Sequence, residues 1–322
     1  MTLPFISLVV VNYNGEDIIE LCLNSLTKVE YPKNKYEIIV VDNASNDRSI
    51  SIIKSFPKVK IIRNKHNMGY VGVNSCLSKV KGKYIFILNN DIEMEKNCLR
   101  KLAEIIEKVN SIGIIVPKFI NFYNRRIKSS GTWVSRSFYN GHYINKNEKP
   151  VVKEIPYLGI EMVRTDIVKK FGYIYDPDYF VYAEDLDLSL RLRLLGYKTV
   201  FVPEAVIYHM HAITTKKAQG SFNTFLLEKN LLTTFFKILS AKNIILLLPY
   251  VFALRAIAIA RDILTLNFIN MLARIKAFLW IIFHINLIYK KRKKLQKMRK
   301  ADDKFILKVF SEKYLFKKRV LI

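Results

Sequence analysis

The sequence predicts an α/β fold built on a central sheet with a nucleotide-binding half, and three observations carry the prediction. Short apolar, β-branched runs alternate with stretches of helical periodicity through the first third of the chain. The runs are continuously apolar, as strands buried on both faces are. Polar residues gather at the carboxyl ends of those runs, where open α/β sheets bind their ligands.

Residues 5–11 (FISLVVV) form the first strand, followed by the polar turn Asn12–Asp17. Ile18, Leu21, Cys22 and Leu26 then recur at helical spacing. Further strands are expected at 38–41, 59–62, 84–88 and 112–116, with helices at 47–55, 71–80 and 96–108 between them. This alternation implies a parallel sheet with helices on both faces. Residues 121–156 are basic and rich in Tyr and read as loops or short strands. A helix over 186–195 places Leu188, Leu192 and Leu195 on one face and stops at Gly196. Within it Asp187 and Arg191 stand four apart, the spacing of a helical ion pair. Strands at 199–202, ending before Pro203, and at 206–208 follow.

Composition bounds the function classes. With 322 residues, 51% hydrophobic, the chain can bury a substantial core and is not a disordered tail. The net charge of +26 attracts anions, but charge alone does not choose among nucleotides, anionic lipid and nucleic acid. Cys22, Cys76 and Cys98 are too few and too scattered for a disulfide framework or a zinc site and read as small buried hydrophobes. No basic stretch precedes an apolar one at the N-terminus, so the catalytic region is expected in the cytoplasm.

The strand-end residues suggest a chemistry. Asp42 can accept the N3–H of a uracil or thymine ring, with Ser45 or Asn46 capping the next helix. Asn89-Asn90-Asp91 is a candidate site for a hard divalent cation, Mg²⁺ or Mn²⁺, bridging a carboxylate to phosphates. Glu93 is a second indirect ligand or a plain solvent charge. Glu184-Asp185 begins a helix whose dipole would hold Asp185 ionised, ready to act as a general base. Tyr179 and Tyr182 offer flat faces for sugar rings, and Phe180 reads as core. His209 and His211 follow a strand, and His209 is the better candidate to complete a metal shell. Each residue has a bland alternative as a turn former or cap; their joint placement at successive strand ends favours a site.

From about residue 222 the character changes. Residues 244–260, interrupted by Pro249, and 277–289 are apolar, and the run Lys290–Lys294 (KKRKK) follows. Neither stretch is a clean span of about 20 apolar residues. Helices lying in the interface, with the basic run on anionic headgroups, fit better than a hairpin packed on the catalytic domain. The division expected is a catalytic domain over 1–221 and a helical, membrane-associating region with a basic tail over 222–322.

Six stretches resemble one family in order and spacing: VVVNYNG (9–15), IIVVDNASNDRS (38–49), NKHNMGYVGVN (64–74), YIFILNND (84–91), YFVYAEDLDLSLRLRLLGY (179–197) and PEAVIYH (203–209). Together they resemble the inverting glycosyltransferases of family 2, with the GT-A fold, and within them the rhamnosyltransferase-like branch. The resemblance implies that Asn12 and Asp42 hold base and ribose, with Asn14 and Asn90 beside them. It implies that Asn67, Gly69 and Asn74 line the donor site, that Asp91 ends a DXD-type metal motif, and that His209 reaches metal or diphosphate. Asp185 would be the catalytic base, with Glu184 adjacent. Two positions depart from the family pattern: Asn89 replaces the first acid of the metal motif, and Ile160 and Glu161 are bulky where relatives have small residues. The implied reaction moves a sugar from a UDP- or dTDP-sugar, dTDP-rhamnose among them, to a hydroxyl of a lipid-linked or surface glycan. The enzyme would be peripheral on the inner face of the cell membrane, with no nucleic-acid partner. The alternatives are a polyprenyl-phosphate sugar synthase and, from another class, a non-catalytic basic protein that binds nucleic acid or lipid.

Overall fold

The computed structural model describes residues 3–129, 131–143, 151–210 and 220–311. The strands are β1 (Ile6–Asn12), β2 (Tyr36–Asp42), β3 (Val59–Arg63), β4 (Tyr84–Asn89), β5 (Ile92–Met94), β6 (Ile112–Asn121), β7 (Ile127–Ser129), β8 (Gly131–Val134), β9 (Asn140–Tyr143), β10 (Lys153–Ile155), β11 (Met162–Arg164) and β12 (Lys198–His209). The helices are α1 (Ile19–Thr27), α2 (Ser49–Lys54), α3 (Cys98–Lys108), α4 (Thr165–Phe171), α5 (Glu184–Leu194), α6 (Ser221–Ile238), α7 (Ala241–Leu264), α8 (Phe268–Phe283), α9 (Ile285–Met298) and α10 (Asp303–Leu307).

The sheet runs in the order β10-β12-β6-β11-β4-β1-β2-β3. Strands β3, β2, β1 and β4 are parallel, as their apolar runs predict. The short β11 lies antiparallel to both β4 and β6, so the sheet is mixed. Because β11 reverses direction twice, β6 and β12 again run parallel to β4. The carboxyl ends of β1, β2, β4 and β12 therefore open on one edge. In register there, Asn12 pairs with Asp42, Asp42 with Arg63, and Val11 with Asn89.

Several local expectations change. Residues 69–76 form a 3₁₀ helix where an α-helix over 71–80 was expected; Gly69 is left-handed at φ +60 and glycines at 69 and 72 weaken α-helix. Pro203 does not end a strand: β12 passes through it with a register shift between Val202 and Val206. Neither Ser45 nor Asn46 caps α2: the N-cap residue is Arg48, whose side chain makes no capping bond, and Asp47 accepts the Ser49 amide at 3.0 Å. The helix α5 is buried all round apart from Asp185, rather than on a single face. The three cysteines are free and buried, as expected.

The C-terminal region is helical, as expected, and differs from expectation in how its apolar stretches are cut. The helix α7 runs unbroken through Pro249 for 24 residues, and by length and composition it is the one single helix among the described residues able to cross a membrane. The second apolar stretch is broken at His284, where α8 and α9 meet at 67°. Three of the five residues of the basic run, Lys291, Arg292 and Lys294, are engaged inside the molecule. Arg292 donates to the carbonyls of Phe236 and Leu239, and Gln296 to those of Lys237 and Ile238. These are the orphan acceptors at the C-terminus of α6, where the helix dipole favours a cation. Lys291 pairs with Asp176 and Asp178. Lys290, Lys293 and Lys297 remain exposed.

One ion cluster joins this region to the sheet domain. Lys237 of α6, fully buried, lies 2.5 Å from Asp176 and 2.7 Å from Asp187 of α5. Asp187 also takes the expected bond from Arg191 at 2.8 Å. Burial opposes the charge on Asp176, but Lys237 and Lys291 outweigh it and hold that carboxyl well below the usual range. Its contribution is present above the ordinary aspartate pKa and is lost on acidification through the lowered one. Replacing Lys237 by Met leaves Asp187 and Asp176 short of a buried cation. The expected loss is about 3–5 kcal/mol, read as a lower urea midpoint.

Candidate active site

The strand-end loops are tied together by side-chain amides. Asn12 Nδ2 donates to Asp42 Oδ1 at 3.0 Å and lies 3.2 Å from Ser45 Oγ. Asn90 Nδ2 donates to Asn12 Oδ1 at 2.8 Å. Asp42 also accepts from the Ser45 amide and hydroxyl and lies 3.6 Å from Arg63 Nε. Asn14, left-handed at φ 47, accepts from the Asn46 amide at 3.0 Å while its own amide donates to Ser45 Oγ. Gly15 is obligatory in this mesh: a Cβ there would stand 2.4 Å from Asn90 Nδ2 and 2.5 Å from Asn12 Oδ1.

Two clefts open beside this mesh and meet at Tyr70 and Asn89. The first, about 290 Å³, is floored by Val11, Tyr13, Asn43, Asn67, Gly69 and Asn90 and walled by Phe180, Val181, Tyr182, Phe222 and Asn223. The second, about 360 Å³, carries Gly159, Ile160, Tyr175, Glu184, Asp185 and His209, with Ser129 and His142 on the far wall. Of the predicted residues, Asn67, Gly69 and Asn90 line the first cleft and Glu184, Asp185 and His209 the second, while Asn12, Asn14, Asp42 and Asp91 line neither. Asn67 and Gly69 line the first cleft as expected, the Gly69 amide donating to Asn67 Oδ1 at 2.9 Å. Asp42 is fully buried behind its floor. Asn74 lines neither cleft: its amide holds the Tyr175 carbonyl and the Ile174 and Tyr175 amides at 2.8–3.0 Å, so it shapes the wall behind. Tyr179 is likewise no sugar platform, being fully buried with its hydroxyl between Asp187 and Thr234. Phe180, expected in the core, lines the first cleft.

At the junction, Asp91 Oδ1 and His209 Nε2 are 2.9 Å apart, and Asn89 Nδ2 lies 3.2 Å from the same imidazole nitrogen. No group of three or more His, Cys, Asp or Glu side chains suited to a metal occurs among the described residues. Glu93 faces Arg125 at 3.8 Å on the surface and is a solvent charge. A carboxylate and an imidazole in contact suit a hard divalent cation that completes its shell with phosphate oxygens, as Mg²⁺-type sites do. His211 and residues 212–219 lie outside the described residues.

The acid pair sits in an unusual backbone. Phe180, Tyr182 and Ala183 all have left-handed φ of 60–69, each costing about 1–3 kcal/mol for a side-chain-bearing residue. The Phe180 carbonyl accepts the Tyr70 amide at 2.8 Å, and a Cβ on Gly69 would meet that carbonyl oxygen at 2.3 Å. The turn therefore couples the donor-side floor to the first turn of α5.

Burial dominates the electrostatics here. It pushes the Asp185 carboxyl up to about 6, against the pull of the Leu186 amide at 2.7 Å. Burial and then the neighbouring Asp185 push Glu184 well above the carboxylate range. Glu161, fully buried and hydrogen-bonded to the Tyr175 hydroxyl at 2.9 Å, is also raised well above it by burial. The sequence led to the expectation that the helix N-terminus holds Asp185 ionised; burial instead raises its carboxyl, because desolvation outweighs the amide contact. Tyr70, Phe222, Asn223 and His142 were missed by the sequence reading. Phe222 and Asn223 come from α6, and no local pattern marks a residue that reaches the cleft from another element.

Comparison with known proteins follows the same lines. The chain is 26% identical over 216 residues to the glycosyltransferase AglE of Haloferax volcanii, covering 65% of this chain and 67% of that one. It is 22% identical over 222 residues to a dolichyl N-acetyl-alpha-D-glucosaminyl phosphate 3-beta-D-2,3-diacetamido-2,3-dideoxy-beta-D-glucuronosyltransferase of Methanococcus voltae, covering 66% and 69%. The crystal structure of GalNAc-T7 with UDP, GalNAc and Mn²⁺ shares the fold with a TM-score of 0.61 at 20% identity, over 72% of this chain and 48% of that one. The chain thus spans about two thirds of those relatives and about half of the solved structure. Residues 7–172 match the description Glycosyl transferase family 2, and the chain belongs to that family.

Proposed function

We propose that the protein transfers a sugar, with inversion, from a UDP- or dTDP-sugar to a hydroxyl of a lipid-linked or surface glycan at a membrane. The observation that carries the reading is the junction itself. An amide-rich cleft on the nucleotide-binding half opens, through Asn89 and Tyr70, into a second cleft walled by Asp185. The first suits the nucleotide and the second the sugar and acceptor. Within the donor class, dTDP-rhamnose remains the case named by the branch resemblance.

In this mechanism Asp185 accepts the proton of the acceptor hydroxyl as its oxygen forms a bond to the anomeric carbon. The bond from that carbon to the diphosphate oxygen breaks, and the nucleoside diphosphate leaves with the electron pair. The upward shift of Glu184 by burial and by Asp185 disfavours two adjacent negative charges in the pocket. Asp91 and His209 would hold Mg²⁺ or Mn²⁺, which when bound supplies Lewis-acid stabilisation of the leaving diphosphate. The Mn²⁺ in the GalNAc-T7 structure supports this assignment. The single carboxylate beside Asn89 makes the site dependent on phosphate oxygens to complete it.

The helical region supports a membrane-surface location. Ile245, Leu246, Ile257, Leu264, Ile282 and Phe283 are exposed along α7 and α8. The opposite face of α7 is tied inward: Arg255 donates to the Ser137 carbonyl at 2.9 Å and pairs with Glu228 at 3.0 Å. A spanning α7 would carry that ion pair and the attached Ser137 segment into hydrocarbon, where unpaired polar backbone is costly. An interfacial helix keeps both faces matched to their surroundings. The dolichyl-linked acceptor in the Methanococcus voltae enzyme's name agrees with a lipid-linked acceptor.

Asp185→Asn is expected to lower transfer by about 10²–10⁴-fold while nucleotide binding persists. Full transfer by that variant would mean an acceptor that is already anionic, such as a polyprenyl phosphate. In the wild type, kcat/KM should rise with pH through a limb near 6 as Asp185 deprotonates. A carboxyl raised in the folded state is destabilising above that pH, so the same variant should be more stable at pH 8, by on the order of 2–3 kcal/mol.

Calorimetry with UDP and dTDP tests the metal. Binding should tighten with Mn²⁺, and Asp91→Asn should remove most of that gain; metal-independent affinity would rule out the Asp91–His209 site.

Leu246→Glu with Phe283→Glu should weaken co-sedimentation with phosphatidylserine vesicles by at least about tenfold per site. Unchanged binding would dismiss the interfacial face.

A further inference from the structure

We infer that Asn230 of α6 is a positioning residue for the catalytic pair, clamping the left-handed turn that joins the donor cleft to Asp185. This deepens the transfer reading above and rests on its assignment of Asp185 as base.

The geometry is specific. Asn230 is fully buried, and its Nδ2 lies 3.2, 3.0 and 2.7 Å from the carbonyls of Tyr179, Val181 and Tyr182. Three carbonyl oxygens around one end of the amide settle its orientation, since only the NH₂ can donate. Its Oδ1 has no partner among the described residues, so the contact is one-sided and wholly directed at the turn. Left-handed φ at Phe180, Tyr182 and Ala183 accompanies this convergence of carbonyls on one point. Without a donor there, those carbonyls would face one another in a buried space, and a backbone already strained would have reason to relax.

The neighbours of Asn230 extend the same contact. Thr234 meets the Tyr179 hydroxyl at 2.7 Å, and Lys237 meets Asp176 and Asp187. Positions 230, 234 and 237 fall on one face of the helix. That face is polar, buried and aimed at residues 176–187, in a helix otherwise rich in Leu and Phe. Relaxation of the turn would be felt on both sides. On one side the Phe180 carbonyl would leave the Tyr70 amide. On the other the start of α5, with Glu184 and Asp185, would shift and admit water to the acid pair.

Hydrogen exchange on the full chain tests the clamp, using Asn230→Ala and the near-isosteric Asn230→Leu, which removes the donor and keeps the size. Exchange should accelerate by about tenfold or more at residues 68–72 and 179–187, with residues 6–12 and 36–42 unchanged. The Asp185 carboxyl resonance, titrating near pH 6 in the wild type, should move toward the ordinary aspartate range. Affinity for UDP in the presence of Mn²⁺ should weaken by about tenfold. Ala273→Gly, a buried position on α8, is the control: it should lower the melting temperature and leave the exchange pattern and the titration alone. Wild-type exchange in Asn230→Leu, or acceleration spread evenly over the chain, overturns the proposal. An active Asp185→Asn enzyme whose turn still loosens in Asn230→Leu would instead overturn the base assignment and leave the clamp standing.

Discussion

A lysine ammonium with no solvent exposure needs anionic partners within hydrogen-bond reach, and Lys237 finds two of them, Asp176 and Asp187. Those carboxylates belong to the segment leading into the catalytic turn and to the helix that follows it. The pairing therefore fixes α6 to both ends of the 176–187 stretch. Arg191 and Lys291 complete the neutralisation from α5 and α9. Removing one partner leaves uncompensated buried charge, a far larger penalty than the loss of a surface ion pair. The C-terminal helices are therefore part of the structure that holds the 176–187 stretch.

That framework is what permits an unfavourable site. Three left-handed residues in four, and two adjacent carboxyls in a dry pocket, are destabilising features. They persist because the surrounding contacts over-determine the turn. The same burial that destabilises Asp185 raises its carboxyl to about 6, in the range that the proposed role of general base calls for. Burial raises Glu184 as well, and the charge of Asp185 raises it further.

The tail illustrates how one composition serves two purposes. Apolar residues on α7 and α8 divide between a face packed inward and a face left open. The basic run divides likewise: Lys291, Arg292 and Lys294 satisfy carboxylates and backbone carbonyls, while Lys290 and Lys293, with Lys297 beyond the run, face solvent. A formal charge of +26 is thus not all available to an outside partner.

The sequence by itself determined the strands of the parallel half of the sheet, because continuous β-branched runs bounded by polar turns have few other solutions; their order in the sheet came from the structure. It also marked Asn12, Asp42, Asn89, Asp91, Asp185 and His209 as strand-end or helix-start residues, since those positions are local in the chain. The antiparallel β11 was not legible, because a three-residue strand carries no period. The roles of Asn74, Tyr179 and Phe180 changed places with expectation, because which face of a turn a side chain takes depends on left-handed backbone angles imposed from outside it. Only the tertiary structure decided that Phe222, Asn223 and Asn230, more than thirty residues past the acid pair, reach the same clefts and turn. Contacts of that kind are set by how α6 packs, and no spacing in the sequence encodes them.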